Sequence, residues 1–254
     1  MRARARVVAE TDTRGNTRLA VLHGESPLLL RRTGARTTTG ATVHLVGGAA
    51  GPLRGDDLHL DIEVGPGAEL EMLSVAAQLA LPGRPAPASR LLVTARVASG
   101  ATLRWLPEPL IAAAGCDHIA VTRVAVEAGG SLLWRDDLVC GRHGEDPGEV
   151  RADTLISYAG TTLYRHELSI GSPGWNGPAV LGDARAIGTL ILAGPHLPPT
   201  TTAGPAAAVM PLAGPGILAT AVGTDIREVR TALDPLCGTR PSAERQCVDF
   251  GSDV

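Results

Sequence analysis

The chain has 254 residues, of which 44% are hydrophobic, 19% charged and only 2% aromatic, and its formal net charge is −3. That length buries a full core without disulfide or metal staples, while the charge and the scarcity of aromatics argue against a nucleic-acid partner. All 23 basic residues are arginine, which excludes chemistry that needs a lysine: a Walker A loop, a Schiff base or a Ser-x-x-Lys pair.

Met1–Arg6 is basic, but Val7 and Val8 run straight into Glu10 and Asp12 with no apolar segment of signal-peptide length. No apolar run reaches about 18 residues, so no membrane span is expected. The expected location is cytoplasmic, with Cys116, Cys140, Cys237 and Cys247 as free thiols.

Further along, Leu58, Leu60, Ile62 and Val64 alternate with His59, Asp61 and Glu63, the period of a strand with one buried face. A Gly turn and a returning strand follow. The same unit recurs, with Gly67, Gly100, Gly130 and Gly160 as anchors spaced 33, 30 and 30 residues apart. Such a period marks stacked supersecondary units, none of which can bury its face alone. The predicted fold is all-β: tandem strand–turn–strand repeats stacked as a β-solenoid or an elongated sandwich, with successive hairpins as the building blocks. In residues 119–126 the apolar parity changes between Val121 and Val124, which predicts a bulge near Arg123.

Helical signals are few. Residues 74–81 suit a short helical turn, and 82–89 read as a loop. Residues 194–216 hold six prolines and read as an exposed loop. Asp225-Ile226-Arg227-Glu228 has the form of a capping box, with Ile226, Val229 and Leu233 at helical spacing and Pro235 ending the run. One or two short C-terminal helices are therefore expected. Residues 1–236 read as a single domain and 237–254 as a polar tail.

Chemistry-bearing motifs are sparse. Cys116-Asp117-His118 is the one dense cluster of metal-ligating types, which makes Cys116 and His118 metal candidates, although the spacing fits no structural zinc pattern. Asp56-Asp57 and Asp136-Asp137 are adjacent, so in a strand each pair faces opposite ways and neither converges as a dyad; solvated turns are the expected setting. Neither a nucleophile elbow nor a phosphate loop is found. Trp105-Leu106-Pro107-Glu108-Pro109 packs two prolines against an aromatic, so the strand must leave its sheet there. Gly141-Arg142 and Gly148-Glu149 bracket a loop in which Arg142 has Glu145 and Glu149 as its nearest acids.

Taken in order, Gly51-Pro52-Leu53-Arg54-Gly55-Asp56, Gly67-Ala68, Trp105-Leu106-Pro107-Glu108-Pro109 and Gly141-Arg142 with Gly148-Glu149 resemble the urease accessory protein UreD family across about residues 15–235. Arg54 departs from the family's usual glycine. The resemblance implies a scaffold that catalyses nothing itself. Its partners would be UreF, UreG through UreF, and apo-urease, with nickel in transit and no tightly bound cofactor. It further makes Asp56, Trp105, Glu108, Arg142, Glu145 and Glu149 candidates for partner contacts or a nickel path. From the residues alone, a β-helix polysaccharide-active enzyme and a purely structural β-solenoid stay open as alternatives.

Overall fold

Leu58, Leu60, Ile62 and Val64 all lie at 2% exposure or less, so the alternation read from the sequence does mark a buried sheet face. The protein is a computed structural model that describes residues 1–34, 39–195, 197 and 201–238. Strand β1 (Arg2–Thr11) turns back as β2 (Thr17–Gly24), and β3 (Leu28–Thr33) with β4 (Ala41–Gly47) opens a second sheet. The chain then winds between the two sheets. Strands β5 (Asp57–Val64), β8 (Ser89–Val97), β11 (Asp117–Val126) and β13 (Glu149–Tyr158) enter the first sheet, while β6 (Glu69–Ser74), β9 (Thr102–Leu106) and β12 (Ser131–Val139) enter the second. Short β7 (Gln78–Ala80) and β10 (Leu110–Ala112) lie on the connections. Winding ends with β14 (Thr161–Ile170), after which β15 (Ala186–Ala193), β16 (Thr202–Ala203), β17 (Ala207–Pro211) and β18 (Gly216–Gly223) extend the second sheet. Helix α1 (Ile226–Leu233) and a 3-10 turn (Asp234–Cys237) follow.

Among the described residues the first sheet has seven strands, ordered β14-β13-β11-β8-β5-β1-β2. The second has eleven, with main path β16-β17-β18-β15-β12-β9-β6-β4-β3, while β10 pairs with β12 and β7. The wound strands are parallel in register: Leu60 lies beside Val93, and Val93 beside Thr122. This is a β-solenoid of stacked two-strand coils.

The units are not hairpins, however, because their two strands lie in different sheets. Connection length decides this. Residues 65–68, 98–101 and 127–130 form arches that lift the chain from one sheet to the other, and they stack through Thr102 N to Ala68 O (2.9 Å), Ser131 N to Ala101 O (2.8 Å) and Gly100 N to Gly129 O (3.2 Å). Gly67, Gly100 and Gly129 supply the positive φ that these arches need, so the third anchor is Gly129 and not the Gly130 read from the sequence. The fourth unit has only Ala159 and Gly160 between its strands, both at positive φ, the geometry of a tight hairpin turn; β13 and β14 therefore pair antiparallel.

Four other expectations are corrected. Strand β11 pairs with β8 and β13 without a register shift, so no bulge exists at Arg123; Val121 simply faces outward. Residues 78–80 form β7 rather than part of a helical turn, because parallel pairing with β10 satisfies their backbone. Part of the proline-rich 194–216 segment is ordered as β16 and β17, where Ala207–Met210 pairs with β18. Asp136 and Asp137 lie within a strand, not in a solvated turn.

The capping box is present. Asp225 accepts from Arg227 N (2.7 Å) and Glu228 N (3.3 Å), and Glu228 reaches back to Thr224 N (2.8 Å). Val229 and Leu233 bury α1 against the outer face of β15 and β18, over Gly188. Of the expected polar tail, only Cys237 and Gly238 lie within the described residues.

Candidate functional site

The two edges of the coil stack are built differently, and this creates an interior space. On one edge the short arches bring the sheets into tight contact: Ala68 and Ala101 are fully buried beside Val64, Val97 and Val126. On the other, the chain returns through long connections carrying β7 and β10, and a cavity of about 460 Å³ lies between the sheets. Its walls run from β3 and β4 to β14 and β15. Exposed lining residues stand at both ends: Ala49, Ala50 and Val75–Ala77 at one, His166 at the other.

One row of inward positions shows how the lining becomes polar. Ala5, Leu60, Val93, Thr122, Thr154 and His166 sit side by side across β1, β5, β8, β11, β13 and β14. Ala5 closes the core, and from Leu60 to His166 the row lines the cavity, apolar at Leu60 and Val93 and polar from Thr122 on. The signal in the sequence was a polar residue at a core-parity position, which Thr122, Thr154 and Asp136 all display.

Trp105 and Trp134 occupy paired positions on β9 and β12, and their rings stack with centroids 5.0 Å apart and an interplanar angle of 16°. One inward position further along β12, Asp136 faces the cavity and accepts the Trp134 indole N–H at 2.9 Å. Burial raises its carboxyl to about 6; the indole donor offsets part of this and the Asp137 charge adds to it. Asp137 points the opposite way, towards α1, as adjacent strand residues must. Sequence reasoning set Asp136 aside because its pair could not converge. It acts alone.

The candidates named from sequence scatter. Trp105, Glu108 and His118 line the cavity. Glu108 donates its backbone N–H to Ser74 Oγ (2.8 Å) and pairs with Arg230 of α1. Asp56 is buried and holds its own turn by accepting from Leu53 N (2.9 Å). Arg142 pairs with Glu145, donating Nε at 2.8 and 2.9 Å, and this holds the Glu145 carboxyl down at about 2. Glu149 stands apart on the exposed start of β13. Cys116 is not among the lining residues: its thiol points to Glu149 O (3.7 Å) in a cluster with Cys140, and burial pushes both thiols up to about 11. Cys116, Cys140 and Cys237 are free thiols, and Cys247 lies outside the described residues. Among the described residues no group of three or more His, Cys, Asp or Glu is arranged to hold a metal ion, and no helix is long and apolar enough to cross a membrane.

The sequence matches the UreD urease accessory protein family over residues 1–247. It is 41% identical to urease accessory protein UreD of Parafrankia sp., covering 99% of this chain and 93% of that one. It is 44% identical to urease accessory protein UreD 3 of Streptomyces griseus, covering 92% and 95%. With the counterpart in Streptomyces coelicolor the identity is 43%, over 92% and 94%. A family match over residues 1–247, with relatives at this level of identity across nearly the whole chain, leaves one assignment: the chain belongs to the UreD family of urease accessory proteins.

Proposed function

We propose that the chain is a scaffold for urease maturation that works in the cytoplasm with UreF and UreG, docks on apo-urease and assists insertion of nickel, which crosses the interior cavity as cargo. The observation that carries this reading is the cavity itself. It extends beneath successive strands of both sheets, changes from apolar to polar lining, and bears, besides Glu108, the carboxyl of Asp136, which burial raises to about 6. A cation in transit needs polar groups spaced along its way and none that trap it. The family match supports the urease connection and argues against the polysaccharide-active reading. In this reading the chain acts by binding, and no tightly held cofactor is required.

The test is to fill the cavity without touching the surface. Ala120 faces inward on β11. Co-expression of Ala120→Trp with urease and its other accessory proteins should leave the complex co-purifying while urease activation drops severely. Activation at the unsubstituted level, with the complex intact, would refute passage through the cavity.

A further inference from the structure

His118 is the second residue of β11, where the chain re-enters the first sheet from the long connection after β10. Its ring is 1% exposed and lines the cavity. Nδ1 lies 2.9 Å from Ser89 Oγ on the adjoining strand β8. Ser89 has a single hydroxyl proton, and the carbonyl of Asp117, 3.2 Å from Oγ, is an acceptor for it. With the hydroxyl proton on that carbonyl, Oγ meets Nδ1 with a lone pair and Nδ1 carries the ring proton. That leaves Nε2 as a bare lone pair, and it has no hydrogen-bond partner among the described residues.

A buried imidazole with an unused lone pair costs stability unless something takes it up. The pattern here, one ring nitrogen donating to a fixed acceptor and the other left open, is the one that metal-ligating histidines show. Imidazole suits first-row transition metals and not magnesium or calcium. A single ligand binds briefly, which is the behaviour required of a station on a path.

We propose that His118 Nε2 is a transient ligand for a first-row divalent transition-metal cation crossing the cavity, with Ser89 as the residue that positions it. The proposal rests on the passage reading above and names one selective station within it.

Two measurements test it. The first follows urease activation against free Ni2+ in the co-expressed complex. His118→Leu should raise the Ni2+ needed for half-activation by about tenfold, with activation at saturating Ni2+ retained, and Ser89→Ala should shift it the same way by less. The second uses the unsubstituted full chain in its accessory complex, labelled with 15N-histidine. The His118 ring should report a proton on Nδ1, and substoichiometric Ni2+ should broaden its signals whereas Mg2+ should not. In Ser89→Ala the ring should lose its single-tautomer signature. If His118→Leu leaves the Ni2+ dependence unchanged while Ala120→Trp blocks activation, the His118 station is wrong and the passage stands. If neither variant has an effect, the passage itself falls. Should His118→Leu fail to fold, the spectrum decides: Ni2+ broadening confined to exposed histidines such as His23 and His166 overturns the proposal.

Discussion

Arg135 Nε donates to Asp137 Oδ2 at 2.9 Å on the outer face of β12, and its Nη1 donates to Asp234 Oδ1 at 2.5 Å just beyond α1. The two strand residues are under 10% exposed, and Asp137 Oδ1 and Arg135 Nη2 have no partner among the described residues. Deleting one member strands the other in a dry layer beneath the helix. Arg135→Ala should therefore cost about 3–5 kcal/mol in chemical denaturation, and a paired replacement, Arg135→Met with Asp137→Leu, should recover most of that. Asp234 is 59% exposed on its side chain, so Asp234→Ala should cost about 1 kcal/mol or less. Equal losses for Arg135→Ala and Asp234→Ala would show that the buried pair does not hold the helix.

Gly188 lets α1 approach the sheet. A Cβ at this position would stand 2.4 Å from Val229 Cγ1 and 2.7 Å from both Asp137 Oδ1 and Leu233 Cδ1. Its φ is ordinary, so the obstacle is space alone. Gly188→Ala should destabilise by about 1–3 kcal/mol and increase amide exchange in α1 more than in β5 or β8. Uniform exchange across these elements would contradict a local effect.

The cavity holds two groups with opposite pH responses. Asp136 takes up protons more readily folded than unfolded, so its contribution falls as pH rises from about 4 through about 6. His118 takes up protons less readily folded than unfolded, so its contribution falls as pH drops from 6.5 towards about 4. The two trends oppose each other in unsubstituted protein. Asp136→Asn should be more stable than the parent near pH 7.5 by at most about 2 kcal/mol, the full shift being reduced because the carboxylate faces a cavity, and level with it near pH 4. Asp136→Asn should also lose stability on acidification more steeply than the parent, and His118→Gln less steeply. Parallel stability curves for all three proteins would show that neither group titrates as described.

The loop from Gly141 to Gly148 is anchored by Arg185, which donates to the Glu145 carbonyl and lies 3.7 Å from Asp146. Arg142 spends its fork on Glu145 within the same loop. Arg185→Ala should make the loop a site of proteolysis. Arg142→Ala should leave the thermal midpoint unchanged and lower urease activation on co-expression, as expected of a loop that meets a partner. Normal activation would confine Arg142 to shaping the loop.

The sequence displayed the repeat plainly because each coil spends one positive-φ glycine at the same place. It did not display whether the flanking strands pair with one another. Four connecting residues, as in 127–130, arch across to the other sheet, whereas two, as at Ala159 and Gly160, close a hairpin; the motifs look alike until the spacing is counted. Parity located the core but not the cavity. Thr122 and Val124 obey the same alternation, and only the long return connections at one edge decide which of them meets open space. Trp105 and Trp134 lie far apart in the sequence and become neighbours only because the coils stack in register.

A parallel coil stack ordinarily presents its last rung as a template on which another copy could continue the winding, and an uncapped stack is open to filament growth. Here both edges of the first sheet carry a strand that runs the wrong way: β2 is antiparallel to β1, and β14 is antiparallel to β13. A newcomer that tried to extend the winding would meet a reversed strand, with Arg18 and His23 exposed on one edge and Arg165 and Glu167 on the other. The two-residue turn at Ala159 and Gly160 thus sets the number of coils, and with it the length of the cavity that they enclose.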